Sequence, residues 1–192
     1  MCVLFYNNKC YTTAMNNSLL RRYISEFVYG AVDGTVTTFA VVAASAGAGI
    51  SSAVILILGL ANLIADGFSM GASAYLAASS ENEDSAHQTA RRASPKIIGG
   101  ATFGAFLLVG SVPVLPYLID VIGGLELAAS TLFYISAGAT IVAFLAIGFV
   151  KGKVSEKNPF SSAGMTLLLG AIAASLAYVA GSVLAHLLGV DL

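Results

Sequence analysis

Two aspartates lie inside stretches of this chain that are otherwise apolar. Asp33 occurs in FVYGAVDGTVTTFAVVAA, and Asp66 occurs in VILILGLANLIADGFSMGA. A carboxylate near the centre of a bilayer costs about 2.5–3.5 kcal/mol even on the lenient insertion scale, so acids in such segments usually mark an ion or proton pathway. The pair therefore predicts a cation pathway through a membrane.

The spacing of the two acids predicts that they face each other. Asp33 lies about 16 residues before the hairpin that joins the two stretches, and Asp66 lies about 16 residues after its middle. At ~1.5 Å per helical residue, each carboxylate lies ~24 Å along its helix, at the same depth in an antiparallel pair. Tyr29 and Thr37, four residues to either side of Asp33, make that helix face polar.

The second stretch adds further types of metal ligand. Asn62, Asp66 and Met70 recur at four-residue spacing, which places an amide, a carboxylate and a thioether on one stripe of a helix. Oxygen ligands suit hard or borderline divalent cations, and a thioether discriminates against Mg²⁺ and Ca²⁺. This set favours Fe²⁺, with Mn²⁺, Co²⁺ and Zn²⁺ as alternatives.

Protons and metal would compete for the same carboxylate oxygens, which is the physical requirement for proton-coupled exchange. The alternative is structural. In that interpretation Asp33 and Asp66 share a proton and lock two helices of a non-transporting membrane scaffold or assembly factor, and Met70 only packs.

The composition predicts an all-α, multi-pass membrane protein. Hydrophobic residues make up 57% of the chain and charged residues only 10%, whereas soluble domains carry about 25% charged residues. With about 20 apolar residues per span, 192 residues allow five or six helices and no separate soluble domain. We expect a leader at 1–20, mobile and cytosolic, and one transmembrane domain at 21–192. The predicted spans are 25–47, 51–79, 96–119, 127–150 and 163–189.

The basic residues predict the orientation of these spans. All nine lie on the side of the N-terminus, before the first span, between the second and third, and between the fourth and fifth. They are Lys9, Arg21, Arg22, Arg91, Arg92, Lys96, Lys151, Lys153 and Lys157. The positive-inside rule then places the N-terminus in the cytosol and the C-terminus outside. Without a recognisable organelle address, a prokaryotic cell membrane is expected, and Met15 is an alternative start to Met1.

The chain resembles the vacuolar iron transporter family over residues 21 to 189. The resemblance rests on SEFVYGAVDGTVTTFAVVAA, on GLANLIADGFSMGASAYLAASSE, on the PxxP of the third span and on the KGK turn. It implies a homodimeric, five-helix exporter that moves Fe²⁺, and in some members Mn²⁺, out of the cytosol in exchange for protons. By position, Asp33 and Met70 match the family's translocation-site acid and methionine. Asn62 falls where plant members have a glutamate, and Asp66 takes its place one turn further along.

The connector between the second and third spans departs from this family. Plant members carry a long Glu-rich cytosolic metal-binding region there, whereas this chain has only about fifteen residues. Glu81, Glu83 and His87, with Asp84, are candidates for a small cytosolic capture site. The alternative is a solvated helix end, which is what a charge run at a membrane surface usually is.

The remaining motifs indicate architecture. Pro113 and Pro116 predict a kink that frees carbonyls in the third span. Two GxxxG pairs, Gly67 with Gly71 and Gly100 with Gly104, permit close helix contact or dimerisation. No P-loop, nucleophile elbow, HExxH or dinucleotide fingerprint occurs, so neither an enzyme nor a resident cofactor is predicted. The expected partners are a divalent metal, protons, the lipid bilayer and a second copy, with no nucleic acid.

Overall fold

The computed structural model describes the backbone of residues 7–84 and 93–189 and the side chains of residues 21–81 and 93–189. Within these residues the chain is helical and contains no strand. The helices are α1 (Asn7–Gly47), α2 (Ser52–Asp84), α3 (Pro95–Gly110), α4 (Leu115–Gly123), α5 (Ala129–Val154) and α6 (Pro159–Leu187).

The part of the chain that the structure describes has five segments long and apolar enough to cross a membrane, which confirms the predicted all-α, five-span class. They are Arg21–Gly47, Ser52–Glu81, Pro95–Gly123, Ala129–Val154 and Pro159–Leu187. The first helix begins at Asn7, inside the predicted leader, so helical backbone continues well before the predicted start at 25. The mobility of the leader stays a prediction.

The third span is not one continuous helix. Helix α3 ends at Gly110, a 3-10 turn occupies Val112–Val114, and α4 follows to Gly123. Proline has no backbone N–H, so Pro113 and Pro116 interrupt the helical ladder here, as the sequence predicts. The carbonyl of Pro113 does not line an open pathway, because the Ser136 hydroxyl of α5 donates a hydrogen bond to it at 2.5 Å.

Helix α1 lies at the centre of the bundle. It packs against α3, α6, α5 and α2, while α2 also packs against α3, and α5 pairs with α6. Glycines set the closest of these contacts. A Cβ at Gly34 would stand 2.7 Å from the Phe106 carbonyl oxygen, and one at Gly71 would stand 2.8 Å from the Phe103 Cβ. Small residues therefore let α1 and α2 approach the same face of α3.

The two predicted GxxxG pairs differ in their use. Gly67 and Gly71 pack against Phe103 of α3 in the same chain, so this pair is not free for contact with a second copy. A Cβ at Gly100 or Gly104 would meet nothing within 4 Å among the described residues. The outward face of α3 therefore carries the open pair.

The two ends of the bundle differ in chemistry. At the basic end, Arg21 pairs with Glu156 of the α5–α6 turn at 2.5 Å, and Arg22 pairs with Glu81 of α2. The Tyr23 hydroxyl accepts a hydrogen bond from the Ser94 backbone N–H at 2.9 Å. Three consecutive α1 residues thus tie three other segments together. The opposite end, named the hairpin end for the tight α1–α2 turn, closes through Gly49 at a φ of 65°.

Candidate metal pathway between the first two spans

Asp33 and Asp66 lie at the same depth in the bundle. Asp33 is 14 residues before the end of α1 at Gly47 and Asp66 is 14 residues after the start of α2 at Ser52, since 47 − 33 = 66 − 52 = 14. Both carboxyl groups are therefore about 21 Å from the hairpin end. The glycines that follow the two aspartates independently indicate the same depth, because Gly34 and Gly67 both pack on Phe106.

Asp33 and Asp66 lie near each other on the neighbouring helices α1 and α2, and the space between the two helices at this depth is named the acidic groove. Gly34 and Gly67 mark the sides of their helices that point at α3, and each aspartate is one residue earlier, about 100° around the helix. Because α1 and α2 are antiparallel, these rotations turn the two aspartates symmetrically, to matching sides of the two helices. Their negative charges are close enough to interact electrostatically.

The groove is not sealed. Asp33, Asn62, Asp66 and Met70 are all partly buried rather than buried. Tyr29, one turn from Asp33 on the side away from α3, has an exposed fraction of 63%, and Ala65 and Ser69 beside Asp66 are exposed. The acidic groove is therefore open on the side of α1 and α2 that faces away from α3.

Asn62 and Met70 continue the stripe of Asp66 along α2. Met70, on the basic side of Asp66, packs against the main buried apolar cluster, so packing holds its thioether in place. Asn62, on the hairpin side, has an amide nitrogen that is buried without a hydrogen-bond partner among the described residues. A carboxylate, an amide oxygen and a thioether are thus available to a cation in the groove, and their role as ligands stays a prediction.

The hydroxyl of Thr37, which also flanks Asp33, is already engaged. It donates a hydrogen bond to the Asp33 backbone carbonyl at 2.9 Å. Threonine commonly bonds its own helix in this way inside membranes. The hydrogen bond of Thr37 therefore stabilises α1, and its hydroxyl is not directed at the groove. Tyr29 points to the open side of the groove.

The cytosolic capture candidates form no cluster in the part of the chain that the structure describes. Glu81 is exposed and is paired with Arg22. Glu83 belongs to α2, but its side chain lies outside the described residues, as does all of His87. No group of three or more His, Cys, Asp or Glu residues that could hold a metal occurs within 21–81 and 93–189.

Sequence reasoning missed two buried polar residues near the hairpin end. Thr38 and Tyr117 are fully buried, and each has a hydroxyl without a hydrogen-bond partner among the described residues. In the sequence, Thr38 simply follows another threonine and Tyr117 follows a proline. Neither context indicates that the hydroxyl is buried without a partner. Their burial becomes visible only when α1, the 3-10 turn and α4 are placed in the bundle.

Comparison with known proteins places the chain among membrane transporters. The model of the VIT family matches residues 24–96 and 84–182, which together include all the residues proposed for the groove.

Individual relatives match most of the chain. A protein named vacuolar iron transporter from Toxoplasma gondii is 25% identical over 88% of this chain and 77% of its own length. Vacuolar iron transporter 1 of Eucalyptus grandis is 25% identical over 81% of this chain and 84% of its own length. Vacuolar iron transporter 1 of rice, Oryza sativa subsp. japonica, is 26% identical over 81% and 82%, respectively. All three relatives are eukaryotic, so the expectation of a prokaryotic membrane stays a prediction.

Proposed function

The chain belongs to the VIT family, and on this premise we propose that it exports divalent transition metal from the cytosol in exchange for protons, with Fe²⁺ and Mn²⁺ as substrates. Family membership and five spans make it a multi-pass membrane protein of metal ion transport. The observation that carries the finer proposal is the position of Asp33 and Asp66, which lie at one depth on neighbouring spans and near enough for their charges to interact.

The ligand chemistry of the groove supports this choice of cargo. Two carboxylates neutralise the charge of a divalent cation, which lowers the cost of holding it inside a membrane. Asn62 supplies a neutral oxygen, and Met70 supplies a sulfur atom that Mg²⁺ and Ca²⁺ bind poorly. The cation would therefore be held between α1 and α2, with Met70 towards the basic end and Asn62 towards the hairpin end.

Proton coupling follows from the same two carboxylates. A bound cation requires them deprotonated, so protons and metal exclude each other at this position. After the metal leaves, protonation of the acids would remove the charge from the membrane interior. One site can then carry metal in one direction and protons in the other.

The sideways opening of the groove supports a homodimer. A carboxylate facing lipid is costly, and ionisable groups in spans almost always face a protein interior or a water-filled cavity. The exposed residues beside the acids, Tyr29 on α1 and Ala65 and Ser69 on α2, fit a surface that a second copy covers. We propose that two chains meet along the α1–α2 face and enclose the pathway between them.

The direction of transport rests on the basic end. Arg21, Arg22, Lys151 and Lys153 lie there and no lysine or arginine lies at the hairpin end of the described residues, which favours a cytosolic basic end. Metal would enter the groove past Met70 and leave past Asn62, while protons would travel the opposite way.

Transport into proteoliposomes tests the proposal. Purified protein is reconstituted with an acidic lumen, and Fe²⁺ or Mn²⁺ uptake and lumen pH are followed with separate dyes. We expect uptake that depends on the proton gradient and is lost in Asp33→Asn, with Asp120→Asn as the matched control. Asp120 lies at the end of α4, where its carboxylate accepts a hydrogen bond from the Leu127 backbone N–H at 2.9 Å. Absence of uptake of any divalent metal would favour the scaffold interpretation instead.

A further inference from the structure

Two hydroxyls near the hairpin end are buried without a hydrogen-bond partner. Thr38 and Tyr117 both have an exposed fraction of 0%, and neither hydroxyl has a partner among the residues that the structure describes. Leaving a buried polar group unsatisfied costs about 1–3 kcal/mol. Such groups call for an explanation, and an ordered water is the usual one.

Thr38 differs from other buried threonines of the chain. The hydroxyls of Thr35, Thr102 and Thr140 donate to the carbonyl four residues earlier, at 2.7, 3.0 and 2.7 Å. That bond satisfies the hydroxyl within its own helix. The Thr38 side chain makes no such bond, so its hydroxyl remains available to another partner.

The position of Thr38 brings it to the broken part of the third span. Gly30, Gly34 and Thr38 form one stripe of α1, and both glycines pack against α3. A Cβ at Gly110, the last residue of α3, would stand 2.9 Å from the Gly34 carbonyl carbon, so Gly34 lies close to the end of α3. Thr38 is one turn of α1 nearer the hairpin end and therefore lies at the level of the 3-10 turn that follows Gly110. Tyr117 follows that turn by one helical turn of α4.

A cavity at the hairpin end lies next to the apolar cluster that contains Tyr117. Its volume is about 660 Å³, and its polar lining residues are Ser130, Tyr134, Ser175 and Tyr178. Ile55 lines this cavity and also belongs to the buried cluster that contains Tyr117. Phe133 lines the cavity too and packs against the same cluster. Only a short apolar layer therefore separates the Tyr117 surroundings from a space large enough for several waters.

We propose that Thr38 and Tyr117 hold ordered water beside the 3-10 turn, and that this water carries protons between the cavity and the depth of the acidic pair. Asn62 supplies a third unpaired group, its amide nitrogen, at nearly the depth of Thr38. The Thr38 stripe faces α3, whereas the acidic groove opens on the other side of α1–α2. Protons would thus reach the acids from inside the chain, by way of Asn62, and would meet the metal only at the groove ligands.

The transport role of this water rests on the proton coupling in the proposed function, whereas its presence does not. Hydroxyl-radical labelling of the full chain in ¹⁸O water tests its presence directly, because a radical formed from a bound water modifies the side chain beside it. We expect Tyr117 to be labelled at a rate close to that of exposed Tyr134, while fully buried Phe106 is protected. Labelling of Tyr117 no faster than Phe106 would overturn the water site.

Two conservative variants test the proton route. In the proteoliposome assay, Thr38→Val and Tyr117→Phe each remove a hydroxyl and keep the shape of the side chain. We expect metal-driven proton movement to fall about tenfold, since positioned proton-transfer groups commonly contribute one to several orders of magnitude. Equilibrium Mn²⁺ binding should stay within about twofold, because the groove ligands are untouched.

The matched control is Thr35→Val, which removes an equally buried hydroxyl that is satisfied inside its own helix. We expect its proton movement to match that of the unmodified chain. Unchanged proton movement in both Thr38→Val and Tyr117→Phe would reject the route. Absence of metal-driven proton movement in the unmodified chain would reject the coupling and the route together, while the labelling result would still decide the water site.

Discussion

Charged side chains are the most expensive to place in a membrane span, and the chain places two carboxylates at one depth on neighbouring spans. Asp33 and Asp66 follow from the sequence almost completely, because counting residues from one tight hairpin sets their depth. Thr38 and Tyr117 do not, because no periodic pattern in the sequence distinguishes an unpaired buried hydroxyl from one bonded to its own helix. A functional residue can therefore be predicted from the sequence when its type is rare in its segment, as an aspartate is in a membrane span.

Replacement of Asp33 by asparagine distinguishes a role in metal binding from a role in folding. Asp33→Asn keeps the shape and removes the charge, so unfolding free energy should stay the same or rise by up to about 3 kcal/mol, because an intramembrane carboxylate is costly. Metal binding should be lost. Thermal unfolding in detergent with and without Mn²⁺ measures both, and a metal-induced shift in Tm should occur only in the unmodified chain.

Stabilisation of Asp33→Asn by Mn²⁺ to the same extent as the unmodified chain would contradict a ligand role for this acid. A large loss of stability without metal would instead indicate that the pair locks the two helices.

Met70 should set metal preference rather than transport itself. Met70→Leu removes the soft sulfur and conserves the packing against the buried cluster, a change that usually costs less than about 1.5 kcal/mol. Because Fe²⁺ gains more from a thioether than Mn²⁺ does, the ratio of Fe²⁺ to Mn²⁺ uptake should fall several-fold. Competition between the two ions in one proteoliposome preparation measures this ratio, and an unchanged ratio would assign Met70 to packing alone.

At the scale of helices, the structure is decided by close contacts that sequence patterns mark only partly. The prolines predict the interruption of the third span, but not that Ser136 of α5 satisfies the carbonyl of Pro113. Likewise, two GxxxG pairs look equivalent in the sequence, and only packing shows that Gly67 and Gly71 are used inside the chain. Helix existence follows from hydropathy, whereas helix partners depend on which small residues meet.

Glycines in α5 provide a matched test of this packing. A Cβ at Gly148 would stand 2.6 Å from the Ala163 Cα of α6, whereas one at Gly138 would meet nothing within 4 Å. Gly148→Ala should therefore destabilise the protein by about 1–3 kcal/mol through overpacking. Gly138→Ala should be neutral or stabilising by up to about 1 kcal/mol, since alanine favours helices. Chemical denaturation in detergent compares them, and equal effects would contradict the described α5–α6 contact.

At the scale of the whole molecule, the proposal of a dimer rests on one face of the chain. Five spans provide room for the acidic pair but leave its groove open on the side of Tyr29 and Ser69. The sequence predicts five spans from hydropathy and an orientation from its lysines and arginines. It does not predict which helix face remains open, because that depends on how α1, α2 and α3 turn towards one another.

Cysteine crosslinking tests the proposed dimer face. In a chain whose Cys2 and Cys10 are replaced by serine, Tyr29→Cys, with an exposed fraction of 63% at this residue, should crosslink two copies within the membrane. Leu176→Cys on α6, which has an exposed fraction of 67%, should not. Crosslinking yield on denaturing gels compares the two positions at equal density in liposomes. Preferential crosslinking through Leu176→Cys would move the interface away from the acidic groove.

Calorimetry of Mn²⁺ binding in buffers of different ionisation enthalpy tests the central claim most directly, because it measures metal binding and proton release in one experiment. The account predicts that the unmodified chain releases protons as it binds Mn²⁺, that its affinity weakens as pH falls because protons hold the same oxygens, and that Asp33→Asn combined with Asp66→Asn abolishes both. Binding of Mn²⁺ without proton release, or unchanged binding in the doubly substituted chain, would contradict it.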